Sequence, residues 1–290
     1  MALAALSAAA GNLPRRIISM SPNATEILYG LGVIGRVVAV SDYDTWPPEV
    51  KNLPHIGGWS TPNLERVSAL RPDLVVLSDA QNGLIGGQLR RFGVPLAVLP
   101  TQTLADVFRA IDIAGTATGR HAQAERLLAE TREEIDAVRN RTRELAHPTV
   151  LCVIDRTPGA LRNVYVATRH SFLGELVDMA GGKLVAPDVA AGYARLSDEQ
   201  LLALNPDVII DIVQGAGRDD TEAVWGVFPE LKALRHHRIA TIHEQYVTHA
   251  SQMVGKTAAL LAHIIHPEVH VEQALGLHAA AENSCPTCRP

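Results

Sequence analysis

Histidines cluster late in the chain, among them His236, His237, His243, His249, His263 and His266, and imidazole is a common metal ligand. A zinc- or manganese-holding cluster would need further ligands from the first half, where His55 is the one histidine near a plausible loop. Cys285-Pro-Thr-Cys288 has the spacing of a redox or zinc half-site, yet a single CxxC in a tail supplies two of the four ligands a structural zinc wants. Ala250-Ser-Gln-Met-Val-Gly255-Lys256-Thr257 is similar to a phosphate loop with alanine in place of the first glycine, but it opens the terminal helix instead of following the first strand of a sheet. Hydrolytic chemistry finds no footing. There is no GxSxG elbow and no GxGxxG after a strand, and His243-Glu244 meets Val247 where a zincin would place its second histidine. Asp219-Asp220 sits in a polar loop as solvated acids, and Cys152, inside the apolar run Val150 to Ile154, reads as a small core residue.

The residues left for function bind without making or breaking bonds. The chain holds three Trp, five Tyr and four Phe, and of these Tyr43, Trp46, Trp59, Tyr193 and Tyr246 all fall in predicted loops. A large, partly apolar ring ligand is what such loop aromatics would serve. Nucleic acid is not indicated: a net charge of -5 gives no basic field for a phosphate backbone.

The elements that must carry these loops announce themselves by repetition. Asn63-Leu64-Glu65 leads to Leu70-Arg71-Pro72-Asp73 and the apolar run Leu74 to Leu77. Ser197-Asp198-Glu199 leads in the same way to Leu204-Asn205-Pro206-Asp207 and Val208 to Ile210, each position displaced by 134 residues. Asn63 and Ser197 suit N-caps, Glu65 and Glu199 meet the positive end of the helix dipole, and Ser197 with Gln200 fits a capping box. The prolines end each helix, and the runs beyond them are apolar on both faces, as in a buried parallel sheet. Duplication of one unit, and hence two lobes with a cleft, is the expectation.

Strand and helix signals alternate throughout, which predicts a parallel α/β fold. Strands are predicted over 17–20, 37–40, 74–77 and 96–99, and then over 150–154, 208–212 and 239–242. Helices are predicted at 23–31, 64–70, 83–92, 104–118, 171–180, 198–204 and 252–265, with Gly32 and Gly181-Gly182 as C-cap glycines. Between the halves, Arg120 to Leu145 reads as one amphipathic helix, roughly 39 Å long at the usual rise, crossing between the lobes. The expected divisions are a leader or signal remnant over 1–14, an N-terminal α/β lobe over 15–118, the connecting helix over 119–147, a C-terminal lobe over 148–268 and a disordered tail over 269–290. The alanine-rich start resembles the end of a secretion signal that lacks its basic region. No apolar run reaches the roughly 18 residues that span a bilayer.

Several short motifs, in order, carry a family resemblance. Arg16-Ile-Ile-Ser-Met-Ser-Pro-Asn-Ala-Thr-Glu26-Ile-Leu, Ser41-Asp42-Tyr43 with Pro47-Pro48, Gly57-Gly58-Trp59, Asn63-Leu64-Glu65, Leu70-Arg71-Pro72-Asp73-Leu74 and His266-Pro267-Glu268 resemble the helical-backbone class of periplasmic substrate-binding proteins over about residues 15 to 268. That class serves ABC importers for vitamin B12, iron siderophores and haem. The resemblance implies two Rossmann-like lobes with mostly parallel central sheets, joined by a long helix, with the ligand between them and no catalysis. It implies a periplasmic, monomeric protein without an intrinsic cofactor, whose partner is a membrane permease dimer. Glu65 and Glu199 match the acids that dock to permease arginines.

The resemblance is strongest to the cobalamin branch, so a corrinoid is the expected ligand, with a ferric siderophore or haem as the alternative. Tyr43 and Trp59, with Ser60 beside them, match ligand-contact positions of the first lobe. Tyr193 matches a second-lobe aromatic, and Tyr246 and His249 fall in the last contact loop, where His249 could approach the cobalt or iron of a bound chelate. The stretch Gln245 to His249 departs from the arginine and acid that the cobalamin branch carries there. An enzyme on the same two-lobed fold would want cysteines at the cleft, and Cys152 alone does not meet that need.

Overall fold

The computed structural model of the protein describes residues 13–213 and 221–269. The leader up to residue 12, the Asp219-Asp220 pair and the tail with Cys285 and Cys288 lie outside the described residues. Two compact units divide the chain. The first runs to Pro100 and resumes over Arg109–Leu127; the second takes Thr101–Phe108 and the chain from Leu128 on.

The first unit is a layered α/β body made of β1 (Ile17–Ser19), α1 (Pro22–Gly30), β2 (Val37–Ala39), α2 (Leu64–Ala69), β3 (Leu74–Ser78), α3 (Asp79–Arg90) and β4 (Leu96–Leu99). Its sheet has the order β2-β1-β3-β4, and every pairing is parallel. All five residues of β3 are buried, which is why its sequence is apolar on both faces instead of alternating. Ile18, Met20, Val67, Val75, Leu77 and Leu89 form part of one core between sheet and helices.

Helices α4 (Leu104–Thr118) and α5 (His121–Thr142) follow, separated at Gly119, where φ is +69°. The predicted long helix is therefore present as the 22 residues of α5. The division between the units passes through both α4 and α5, not at their ends.

The second unit is built from β5 (Thr149–Asp155), β6 (Tyr165–Ala167), α6 (Phe172–Met179), β7 (Lys183–Leu184), β8 (Tyr193–Arg195), α7 (Asp198–Leu204), β9 (Val208–Ile212), α8 (Thr221–Trp225), α9 (Lys232–Arg235), β10 (Ile239–Ile242) and α10 (Val254–Ile265). Its six-stranded sheet runs β10-β9-β5-β6-β8, with β7 paired to β5. The β10, β9 and β5 part is parallel and was expected; β6 and β8 join antiparallel and were not. Tyr193 accordingly belongs to an edge strand and not, as predicted, to a loop. At three residues each, β6 and β8 are too short to register as strands, and in β8 only Tyr193 is aromatic or β-branched.

The predicted duplication is visible in geometry. β1, β3 and β4 pair in the same sequence as β5, β9 and β10, with Ile17 opposite Leu74 and Val150 opposite Val208. Arg71 and Asn205, both before the helix-ending prolines, take the left-handed conformation with φ of 46° and 40°. Asp73 then accepts from the backbone amides of Arg15 and Arg16 at 2.8 Å each, while Asp207 accepts from the Thr149 amide at 2.9 Å and its hydroxyl at 2.7 Å. In both units this aspartate stitches the repeat to the start of the central strand.

Candidate functional site

The first unit's candidate loops leave the carboxyl edge of its parallel sheet, the side on which open α/β folds keep their ligands. Ser41 follows β2, and the buried Asp44 accepts from its amide at 2.9 Å and its hydroxyl at 2.5 Å, so the turn that presents Tyr43 is closed on itself. A second loop, residues 55–62, is laced to the first. Asp42 donates its amide to the Gly57 carbonyl at 3.0 Å, and its carboxylate accepts from the Gly57 amide at 3.2 Å. A methyl group added at Gly58 would stand 3.7 Å from the Tyr43 hydroxyl, so the tyrosine ring lies over that glycine, next to Trp59. Tyr43 is 58% exposed and free to meet a ligand. Trp46 is engaged elsewhere: its ring meets Tyr29 of α1 edge-on, with centroids 4.7 Å apart. Tyr43 thus lies against the glycine that precedes Trp59, exposed Ser60 follows Trp59 in the chain, and the Trp46 ring is turned to Tyr29.

One residue that the sequence did not single out organises this edge. Gln81 opens α3 in a capping box: Ser78 Oγ accepts from the Gln81 amide at 3.2 Å, and Gln81 Oε1 accepts from the Ser78 amide at 3.1 Å. Its Nε2 donates to the carbonyl of Met20, just past β1, at 2.8 Å and to the carbonyl of Trp59 at 3.0 Å. Ser-x-x-Gln before a helix is a legible capping signal, but the reach of the same side chain to Trp59 has no trace in the sequence.

In the second unit Tyr246 sits on a short 3-10 turn, Gln245–Thr248, beyond β10, and His249 caps its end, the His249 amide donating to the Tyr246 carbonyl at 3.0 Å. Both side chains are half-buried. Tyr193 is at the other edge of the sheet: β8 and β10 are four strand spacings apart, about 19 Å. The structure therefore groups Tyr246 with His249 and sets Tyr193 apart from them. Tyr193 is 37% exposed, yet its hydroxyl lies deep enough that burial, with Cys152 nearby as a lesser cause, pushes the phenol up to about 12.

Glu65 and Glu199 are both exposed in the first turns of α2 and α7. Glu199 is held below the usual carboxylate range, first by a bond from its own amide and then by one from the Ser197 hydroxyl. The α7 capping box forms as expected, while in α2 Asn63 caps the Arg66 amide alone, at 2.9 Å.

The other chemical candidates resolve into structure. Burial, and secondly Asp211, pushes the Cys152 thiol up to about 12, which leaves no thiolate near neutral pH. In the loop resembling a phosphate site, Gly255 is there for close approach: a methyl group at its Cα would collide with the Glu134 carboxylate of α5. An acid in that position repels phosphate. His266 is buried, with Nε2 3.2 Å from the Gly181 carbonyl and Nδ1 3.5 Å from Glu268, so the His266-Pro267-Glu268 motif latches the end of α10 onto the turn after α6. Among the described residues no three His, Cys, Asp or Glu side chains group to hold a metal ion, and no helix is long and apolar enough to cross a membrane.

Comparison with known proteins decides the family. The profile described as periplasmic binding protein matches residues 17–246.

The chain belongs to the periplasmic binding protein family.

Its α/β architecture with parallel central strands is the one this family shows in solved relatives. An uncharacterised ABC transporter substrate-binding lipoprotein of Bacillus subtilis is 28% identical, the match covering 89% of this chain and 82% of that one. A vitamin B12-binding protein of Pectobacterium carotovorum is 31% identical over 71% of this chain and 74% of its own. Among solved structures, a periplasmic haem-binding protein from Roseiflexus in its apo form is 28% identical with a TM-score of 0.76, covering 87% of this chain and 98% of that one. As a periplasmic binding protein of the ABC-importer type, the chain is a carrier and its relatives are not enzymes.

Proposed function

We propose that this carrier captures a corrinoid, cobalamin in particular, outside the cytoplasm and delivers it to the permease of an ABC importer. The observation that carries the reading is the lacing, by Asp42 and Gly57, of the two loops that bear Tyr43 and Trp59, which holds their rings ready for a flat macrocycle. A tryptophan that buries roughly 100 Å² against such a ligand contributes about 2.5 kcal/mol, and a preordered loop loses little entropy on binding. Tyr193, and Tyr246 with His249, are the second unit's own candidates for ligand contact, and Ser60 adds a hydroxyl beside Trp59. The vitamin B12-binding relative at 31% identity supports the choice of ligand.

Haem is the second reading. The Roseiflexus haem binder supports it, and so does the turn that sets Tyr246 and His249, two residue types that ligate haem iron, one after the other. Glu65 and Glu199, one on each repeat, are proposed as the permease-docking acids. Mixing the protein with cyanocobalamin, haemin or a ferric siderophore, desalting, and recording the visible spectrum separates the ligands. Retained cobalamin absorption is expected; cobalamin that passes through while haemin is retained overturns the corrinoid assignment.

A further inference from the structure

We infer that Gln81 is the positioning residue that sets Trp59 for the ligand. This rests on the reading of Trp59 as a ligand contact and goes a step further, to what holds it. Gln81 is wholly buried, and its amide is fully used. Both Nε2 protons go to carbonyls, those of Met20 at 2.8 Å and Trp59 at 3.0 Å, and Oε1 takes the Ser78 amide at 3.1 Å. The orientation of the amide is dictated, since turning it over would set its oxygen against two carbonyl oxygens and its NH2 against an N–H donor.

The three partners come from three different places. Met20 follows β1, Ser78 ends β3, and Trp59 lies on a long excursion between β2 and α2 that belongs to no strand. Its other fastenings include the Gly57 contacts to Asp42, the bonds from the Asn63 amide to the Ile56 carbonyl and from the Ile56 amide to the Val40 carbonyl, the bridge between Gly57 and Pro62, and the Arg66 guanidinium donating to the His55 carbonyl. These fix the stem of the loop on either side. The peptide of Trp59 itself is tied to the sheet through Gln81. A side chain that only capped α3 would need its Oε1 and nothing more. The reach of Nε2 across to Trp59 is surplus to capping, and it fixes where the indole begins.

Two variants remove the tie in different ways. Gln81→Met keeps length and bulk and removes both donors. Gln81→Glu keeps the shape and, when ionised, faces the Met20 and Trp59 carbonyls with oxygen. Cyanocobalamin affinity is measured for each, for Trp59→Ala and for the double variant Trp59→Ala with Gln81→Met. Hydrogen exchange of the 57–61 amides and thermal midpoints are read on the same proteins. The expected result is a roughly tenfold loss of affinity in Gln81→Met, no less in Gln81→Glu, and almost no further loss when Gln81→Met is added to Trp59→Ala. Exchange at 57–61 should rise in both Gln81 variants.

Should Gln81→Met be too unstable to purify, Gln81→Glu with the exchange measurement carries the same decision. A lower thermal midpoint with unchanged affinity, or equal affinity losses in the presence and absence of the indole, assigns Gln81 to stability alone and overturns the inference. Undiminished affinity in Trp59→Ala overturns the ligand contact itself and the inference with it. A Gln81 variant that binds like wild type beside a weakened Trp59→Ala removes only the inference.

Discussion

Glycines separate two costs that a single substitution usually confounds. Gly32 and Gly181 both end helices in the left-handed region, with φ of +69° and +84°, where glycine alone is unstrained. A methyl group at Gly32 would meet nothing within 4 Å, whereas at Gly181 it would come 2.6 Å from His266 Nε2 and 2.8 Å from Thr142 Cβ. Gly32→Ala should then cost about 1–2 kcal/mol, the conformational penalty alone. Gly181→Ala adds a collision with the latch of α10 and should cost about 2–5 kcal/mol. Urea denaturation of the two variants gives the comparison, and equal losses would mean that the His266 contact yields without cost. Both glycines were legible as C-caps from the helices they end. The latch was not: His266 counted among possible metal ligands because a sequence shows a histidine's chemistry but not the carbonyl that occupies it. Tyr193 was misplaced for a related reason, since nothing in Tyr-Ala-Arg reveals that β6 offers it a partner strand.

The repeated element carries its own pH dependence. Asp207 is held below the ordinary aspartate range, chiefly by the Thr149 hydroxyl, then by the Thr149 amide, and less by Lys232. A carboxyl with a depressed folded pKa stabilises the fold above its unfolded value, near about 4, and that stabilisation drains away as pH falls through the folded value. Asp207→Asn should therefore lower stability at pH 7, lose less as the solution is acidified, and approach wild type at the acid end; a constant gap across the range would show that the charge is not what Thr149 recognises. The element was readable beforehand because its chemistry is local. A cap, a first-turn acid, a proline and an apolar run recur with one displacement, and α2, β3, α7 and β9 appear where they should. The aspartate's role was not readable, because Thr149 lies 58 residues away and Arg16 lies 57 from Asp73.

Across the whole molecule, duplication gives a second reason for one exposed acid on each repeat, beside the helix dipole that each first-turn acid meets. Glu199 is bonded to its own amide and to Ser197, while the matching cap in α2 is Asn63 acting on Arg66. What the two share is exposure, first-turn position and the 134-residue displacement. A partner with two equivalent faces would use that common feature and ignore the differing caps. Charge reversal, Glu65→Lys and Glu199→Lys, tests this more sharply than truncation, because a reversed charge repels a permease arginine instead of merely failing to attract it. On the proposed corrinoid-carrier function, each single variant should match the wild type in cobalamin retention and show reduced uptake when supplied with its permease in proteoliposomes. The double variant should deliver almost none. Normal uptake by the double variant would return both acids to their helices. Lost ligand retention would place them against the ligand instead, so the outcome of the spectrum decides which of the two failures has occurred.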